Sequence, residues 1–393
     1  MVARYVHPFP ARMAPQLALD ALKGVRRGAR VLDPMCGSGT VLQAAMELGL
    51  DAIGRDVDPL AVLMSRVATT RVDPQRVLQE AEDTLSRAQE MEHSEDLAVR
   101  EIDGDAKALA FVRFWYAGQQ ERQLRALTRA LPQEPCSTRE LLRLAVSRTI
   151  VTKDRGASLA RDVSHSRPHK VATDNEFDVG AGFMRSVKSI IKAIDRPLAG
   201  TACVELGDAR NLSDIGDETI GAVVTSPPYL NAIDYMRGHR LALIWLGVPF
   251  SDLALIRSSS IGAERAPDAS YDTAKIDALI RSSGSGEALD ARFRNMFRRF
   301  VGDIDLMQRE VSRVLEADGT AVVVIGNSTI RGTFVDNAGV VAAAGRTHGL
   351  RLDDRFEREL PSRSRYLPPP EDSNSSLSRR MRTETILTFG KES

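Results

Sequence analysis

The sequence predicts an α/β fold, a Rossmann-like strand–helix core split by a largely helical insertion. Three observations predict it. A strand ending at Asp33 runs into a glycine-rich turn, after which Val41 to Met46 continues at helical spacing. A second strand, Ala52 to Arg55, ends at Asp56. A third apolar run, Ile220 to Val224, stops at Thr225-Ser226-Pro227-Pro228-Tyr229.

Residues 1–70 read as a leading loop followed by a βαβ unit, the first part of the core. In Asp33-Pro34-Met35-Cys36-Gly37-Ser38-Gly39-Thr40, the two glycines let backbone approach a ligand and present helix N-terminal amides. Asp56 follows about 20 residues later, where an acid accepts the hydroxyls of a ribose. Leu42 stands where a dinucleotide site has its third glycine, and no phosphate-binding lysine follows. The pattern therefore suits a nucleoside cofactor. Asp58-Pro59 reads as a helix start with Asp58 as cap.

Residues 71–200 are mostly of helical pattern, including Leu78 to Gln89 and Gln119 to Leu131. The aromatic run Phe111 to Tyr116 reads as a helix packed on the core, and Pro135-Cys136 as a helix N-terminal turn. Between Arg161 and Lys170, Ser164, His165 and Arg167 suit phosphate and base-edge contacts, and a flexible polar linker fits equally. Residues 201–393 resume the core. Strands three and four lie within 201–229, followed by a loop that enters an apolar helix reaching Trp245. Residues 258–288, rich in Ser, Gly, Ala and Asp, read as a mobile loop or cap. A helix from Ala291 to Ala317 is stopped by Asp318-Gly319, a buried strand covers Thr320–Ile325, and a helix covers Val335–His348. Terminal strands are expected over Asp353–Leu360 and Thr383–Phe389, joined by a loop that is poorly ordered without substrate.

The chain has 393 residues and a formal net charge of zero. A nucleic-acid partner then requires local basic patches. Candidates are Arg292, Arg294, Arg298 and Arg299; Arg363 and Arg365; and Arg379, Arg380 and Arg382, each of which also reads as a solvated face. Three cysteines without metal spacing, at 36, 136 and 203, argue for a reducing compartment and against a disulfide framework. No signal-like start and no long apolar run is present, so a cytoplasmic, membrane-free, metal-free protein is expected.

Ser226-Pro227-Pro228-Tyr229 is a strand stop with chemical content. The prolines remove backbone donors, which leaves carbonyls free to accept bonds from a ligand. A hydroxyl precedes them and an aromatic plate follows. Such a turn can grip a flat molecule bearing an amine, such as a nucleobase. In isolation it reads equally as a rigid turn with a packed tyrosine.

Taken together, the glycine-rich string and Thr225-Ser226-Pro227-Pro228-Tyr229 resemble the S-adenosylmethionine-dependent amino-methyltransferases of DNA, in the order where cofactor segments precede the catalytic one. The resemblance implies a mixed sheet with an antiparallel edge. It implies S-adenosyl-L-methionine as cofactor, held by Asp33, Pro34, Cys36, Gly37, Ser38, Gly39, Thr40, Asp56, Val57 and Thr225. Asp208 and Ala209, after a third strand, would meet its adenine. His7, Pro8, Phe9 and Pro10 resemble the segment that closes over its methionine end. Ser226, Pro227, Pro228 and Tyr229 would be catalytic, with Asn231, Tyr235 and Arg237 near the substrate. Ser rather than Asp or Asn before Pro-Pro-Tyr is the pattern of enzymes acting on cytosine N4 of double-stranded DNA, in restriction–modification, defence or orphan roles. Target recognition would fall to the insertion or to residues 258–288. Adenine-N6 methylation, RNA base methylation and an inactive nucleic-acid-binding module are the alternatives.

Overall fold

The computed structural model describes residues 5–9, 12–152, 155–161, 169–230, 234–262, 271–284, 290–330, 333–359 and 383–392. The leading segment contains a helix, α1 (Pro15–Ala21), where the sequence suggested only a loop. Proline at its first turn and buried Leu17 and Ala18 account for it. The βαβ unit follows: β1 (Arg30–Asp33), α2 (Thr40–Glu47) and β2 (Asp51–Asp56), then α3 (Pro59–Thr69). Asp58 caps α3 by accepting the Leu60 N–H at 2.9 Å, as its position before proline predicts.

Helices then dominate: α4 (Pro74–Glu92), α5 (Arg100–Asp103), α6 (Ala106–Trp115), α7 (Gly118–Ala130) and α8 (Ser137–Ile150). Cys136 is the N-cap of α8 and its sulfur accepts the Arg139 N–H. A small hairpin, β3 (Ala160–Arg161) with β4 (His169–Lys170), precedes α9 (Val179–Ile194). Next come β5 (Ala202–Leu206), β6 (Ile220–Thr225), α10 (Met236–Leu243) with a 3₁₀ turn at Ile244–Leu246, and α11 (Phe250–Ser259).

Part of 258–288 is helical rather than loop. α12 (Thr273–Ser283) is capped by Asp272 and buries Ile276 and Leu279. Two apolar anchors among serines are too sparse a pattern to stand out in the sequence. The next helix, α13 (Ala291–Val314), is three residues shorter than expected, because Leu315 already pairs with Ile220 and begins β7 (Leu315–Ile325). An unpredicted hairpin, β8 (Ser328–Ile330) with β9 (Thr333–Val335), leads to α14 (Asn337–Thr347). β10 (Leu350–Glu359) and β11 (Thr383–Lys391) close the sheet.

The sheet has seven strands in the order β10-β11-β7-β6-β1-β2-β5. All pairs from β7 to β5 are parallel. β11 is the antiparallel member, and with β10 outside it the two terminal strands form one edge of the sheet, as expected. The period of two sorts the side chains. Leu32, Val223, Ala321 and Val323 join the core beneath α13 and α14, whereas Val31, Ala222, Val224 and Val322 join that beneath α1 and α2.

The helices between β2 and β5 share a third core with α3, α10 and the 3₁₀ turn. Trp245 is fully buried there, edge-on to Tyr116, and the Tyr116 hydroxyl donates to the Leu241 carbonyl at 2.5 Å. The segment following Ser-Pro-Pro-Tyr is thereby packed onto the helical body. Trp245→Ala should destabilise the fold by about 3–5 kcal/mol, read as a lower urea midpoint.

Candidate active site

β1 and β6 are neighbours, with Val31 opposite Ala222 and Leu32 opposite Val223. Their carboxyl ends therefore emerge side by side, one carrying the glycine-rich turn and the other Ser-Pro-Pro-Tyr. A buried hydrogen bond joins them, the Thr225 hydroxyl donating to Asp33 Oδ1 at 2.9 Å. The Met35 N–H donates to the same oxygen at 3.2 Å. Burial pushes the Asp33 carboxyl up to about 7, against the pull of Thr225.

Gly37 and Gly39 adopt positive φ, 49° and 79°, which builds the turn. A side chain at Gly39 would also meet the Ser65 backbone, since an added Cβ would lie 3.1 Å from its Cα. Thr40 opens α2, Pro34 is buried, and Cys36 is buried with its thiol pushed well up by desolvation, a packing group and not a nucleophile. Asp56, expected at the ribose, is half-buried at the end of β2. Its Oδ2 accepts the Gly37 N–H at 2.9 Å and its Oδ1 the Asp58 N–H at 3.0 Å. Each oxygen retains a second acceptor site, so a ligand hydroxyl is still accommodated. Burial and the neighbouring Asp58 raise it to about 6.

The amino-terminal segment lies over this turn. His7 hydrogen-bonds Ser147 of α8 at 2.9 Å, and Arg148 donates to the Val6 carbonyl at 2.6 Å. Phe9 reaches the glycine turn, its ring edge 3.2 Å from where a Gly37 Cβ would stand. It stacks on Tyr235 at 5.1 Å with planes 13° apart, and His239 lies 5.8 Å away. His239 is buried and hydrogen-bonds Asp58 through Nδ1. Sequence reasoning gave His239 no role. The spacing of His239 four residues after Tyr235, the N-cap of α10, was the available signal.

Pro227 is buried and Ser226, Pro228 and Tyr229 are half-buried. Tyr229 packs against the α13 core, and burial together with nearby Glu384 raises its phenol. Arg237 donates to Asp234, which Arg257 also grips. Asp208 follows β5 and is held bidentately by Arg210, at 2.9 and 2.6 Å. Arg210 in turn reaches fully buried Asp303 of α13 at 2.6 Å and the Ser259 carbonyl at 2.6 Å. Asp303 also accepts the Tyr271 hydroxyl and the Gly262 N–H. Among the predicted basic residues, Arg298 is paired with Asp277. Pro10, Ser164, His165, Arg167 and Asn231 lie outside the described residues, as do Arg363, Arg365, Arg379, Arg380 and Arg382.

A family model described as "RMKL-like, methyltransferase domain" matches residues 4–110, the stretch that contains the glycine turn and Asp56. This stretch is thus similar to a methyltransferase domain. The chain is 22% identical to the Type II methyltransferase M.MvaI of Kocuria varians, over 97% of its own length and 89% of that protein's. It is 26% identical to the Type II methyltransferase M.BsoBI of Geobacillus stearothermophilus, over 66% of this chain and 54% of the other. A SAM-dependent methyltransferase structure from Methanosarcina mazei aligns with 97% of this chain and 98% of its own at 8% identity, with a TM-score of 0.35. Among the described residues no helix is long and apolar enough to cross a membrane.

The donor set fits a sulfonium cofactor. Asp33 and Asp56 are carboxylates whose burial disfavours their charge, and among the described residues no lysine or arginine pairs with either. A cationic ligand would supply a counter-charge to them.

The raised acids make the site sensitive to pH. Raised acids bind protons more readily in the folded protein than in the unfolded chain. Their stabilising contribution is full below their ordinary value of 3.8 and is lost as pH rises through about 6 and then about 7. A cation favours the carboxylates instead, so its binding releases protons. Calorimetry in buffers of different ionisation enthalpy should show proton release on S-adenosylmethionine binding, with affinity rising between about pH 5.5 and 7.5. Asp33→Asn should remove the upper part of that rise. His239→Ala should lower stability by about 1–3 kcal/mol by leaving Asp58 without its buried partner, measured by urea unfolding.

Proposed function

We propose that this protein is a DNA methyltransferase that modifies the exocyclic N4 amine of a flipped cytosine. The observation that carries the reading is the Thr225–Asp33 bond, which fixes Ser226-Pro227-Pro228-Tyr229 beside the cofactor turn. Similarity to the Type II methyltransferase M.MvaI along nearly the whole chain supports it.

S-adenosylmethionine supplies an electrophilic methyl group on a positively charged sulfur. The residues of the chain supply position. A cytosine amine is a poor nucleophile because its lone pair is delocalised into the ring. Ser226 Oγ and the Pro227 carbonyl accept its two hydrogens and draw the nitrogen toward tetrahedral character, so that the lone pair points at the methyl. Tyr229 provides a ring face for the base. Positioning and electrostatics provide the rate, and no strong general base is needed because the amine becomes acidic once methylated. A paired base cannot reach a half-buried serine, so the target must leave the duplex. Ser before Pro-Pro-Tyr favours cytosine over adenine. The helices between residues 71 and 200 and the 258–288 region are the surfaces on which target recognition would fall.

The test is incubation with labelled S-adenosylmethionine and unmethylated genomic DNA, followed by digestion to nucleosides and mass analysis. N4-methylcytosine is expected, with Ser226→Ala lowering the rate by about 100-fold or more. N6-methyladenine would overturn the base assignment, and label in RNA but not in DNA would overturn the substrate.

A further inference from the structure

The hairpin β8–β9 leaves the carboxyl end of β7, beside the carboxyl end of β6 where Ser226 stands. A pair of three-residue strands is not stable alone. Two buried side chains, Ile330 and Val335, seat this one in the core. Polar contacts fasten its base. Ser328 Oγ donates to the Leu230 carbonyl at 2.6 Å, one residue past Ser-Pro-Pro-Tyr. Fully buried Asn337 donates both to Ser328 Oγ and to the Gly326 carbonyl, each at 2.9 Å. The hairpin and the catalytic loop are thus one braced unit.

Strand alternation turns the other side chains outward. Thr329 and Phe334 are register partners on that outer side, and Phe334 is 61% exposed. A phenyl ring shown to water on this hairpin contributes nothing to the core. It is the kind of apolar group that enters a base stack and partly unstacks a duplex.

We propose that Phe334 is a wedge that inserts into the base stack of duplex DNA next to the target and holds open the gap left by the flipped base. The proposal rests on the base-flipping reading given above. The bracing through Ser328 couples the wedge to the loop that receives the extruded base, so the ring enters the duplex at a fixed offset from Ser226.

The test separates opening of the duplex from methyl transfer. The site modified by the wild-type protein is mapped by sequencing, and short duplexes of that site are made with the target base either paired or opposite an abasic position. Phe334→Ala should lower kcat/KM on the paired duplex by about tenfold or more, the scale of a lost base–aromatic contact. It should recover to within about twofold of wild type on the abasic duplex, where the pair is already broken. Affinity for S-adenosylmethionine should not change, and Phe334→Trp should keep activity on the paired duplex. Unchanged activity on the paired duplex, or the same loss on both, would overturn the wedge. A wild-type protein that modifies no DNA would instead remove the underlying reading, and the wedge with it.

Discussion

The site depends on one constraint, the pairing of β1 with β6. Parallel register brings two strand ends into line, and the Thr225–Asp33 bond locks them within a dry layer of the sheet. Because both partners are buried, the bond has no water to compete with it, and it also holds the carboxylate whose charge burial opposes. The glycine turn and the Ser-Pro-Pro-Tyr turn then need no further element to face one another. Everything else at the site refines that placement: the Asp56 bonds shape the turn, and the amino-terminal segment covers it.

A second layer of contacts ties this centre to the rest of the molecule. Asp58 faces both ways, capping α3 with one oxygen and holding His239 with the other. Through His239 and the Phe9–Tyr235 stack, the helix after Ser-Pro-Pro-Tyr is bound to the Asp56 side of the site. On the opposite flank, Arg210 links Asp208 to Asp303, and Asp303 gathers Tyr271 and Gly262 from the 258–288 region. The two flanks are built differently, one from aromatic rings around a buried imidazole and the other from a guanidinium between two carboxylates.

Much of this was legible in the sequence where the information is local. A glycine turn and a double-proline strand stop each declare themselves within ten residues, and Asp58-Pro59 announces its helix in two. The pairs that were not legible are those made between distant segments. His239 meets Asp58 across 181 positions and Arg210 meets Asp303 across 93, and no local pattern marks either. α12 escaped because two apolar anchors among serines give a weak period, and β8–β9 because three-residue strands carry almost no alternation. That β11 rather than β10 pairs with β7 is also a tertiary fact, since a strand's composition does not state its neighbours.

The distance along the chain between the two halves of the central bond has a further consequence for biosynthesis. Asp33 and Thr225 are 192 positions apart. At about 5–20 residues per second, roughly 10 to 40 s separate their appearance from the ribosome. During that interval β1 has its partner β2 but an open edge where β6 will dock, and open strand edges invite pairing with other chains. The helices made in the meantime bury their own apolar faces together with α3. They give the nascent chain a body around which the unfinished sheet can wait.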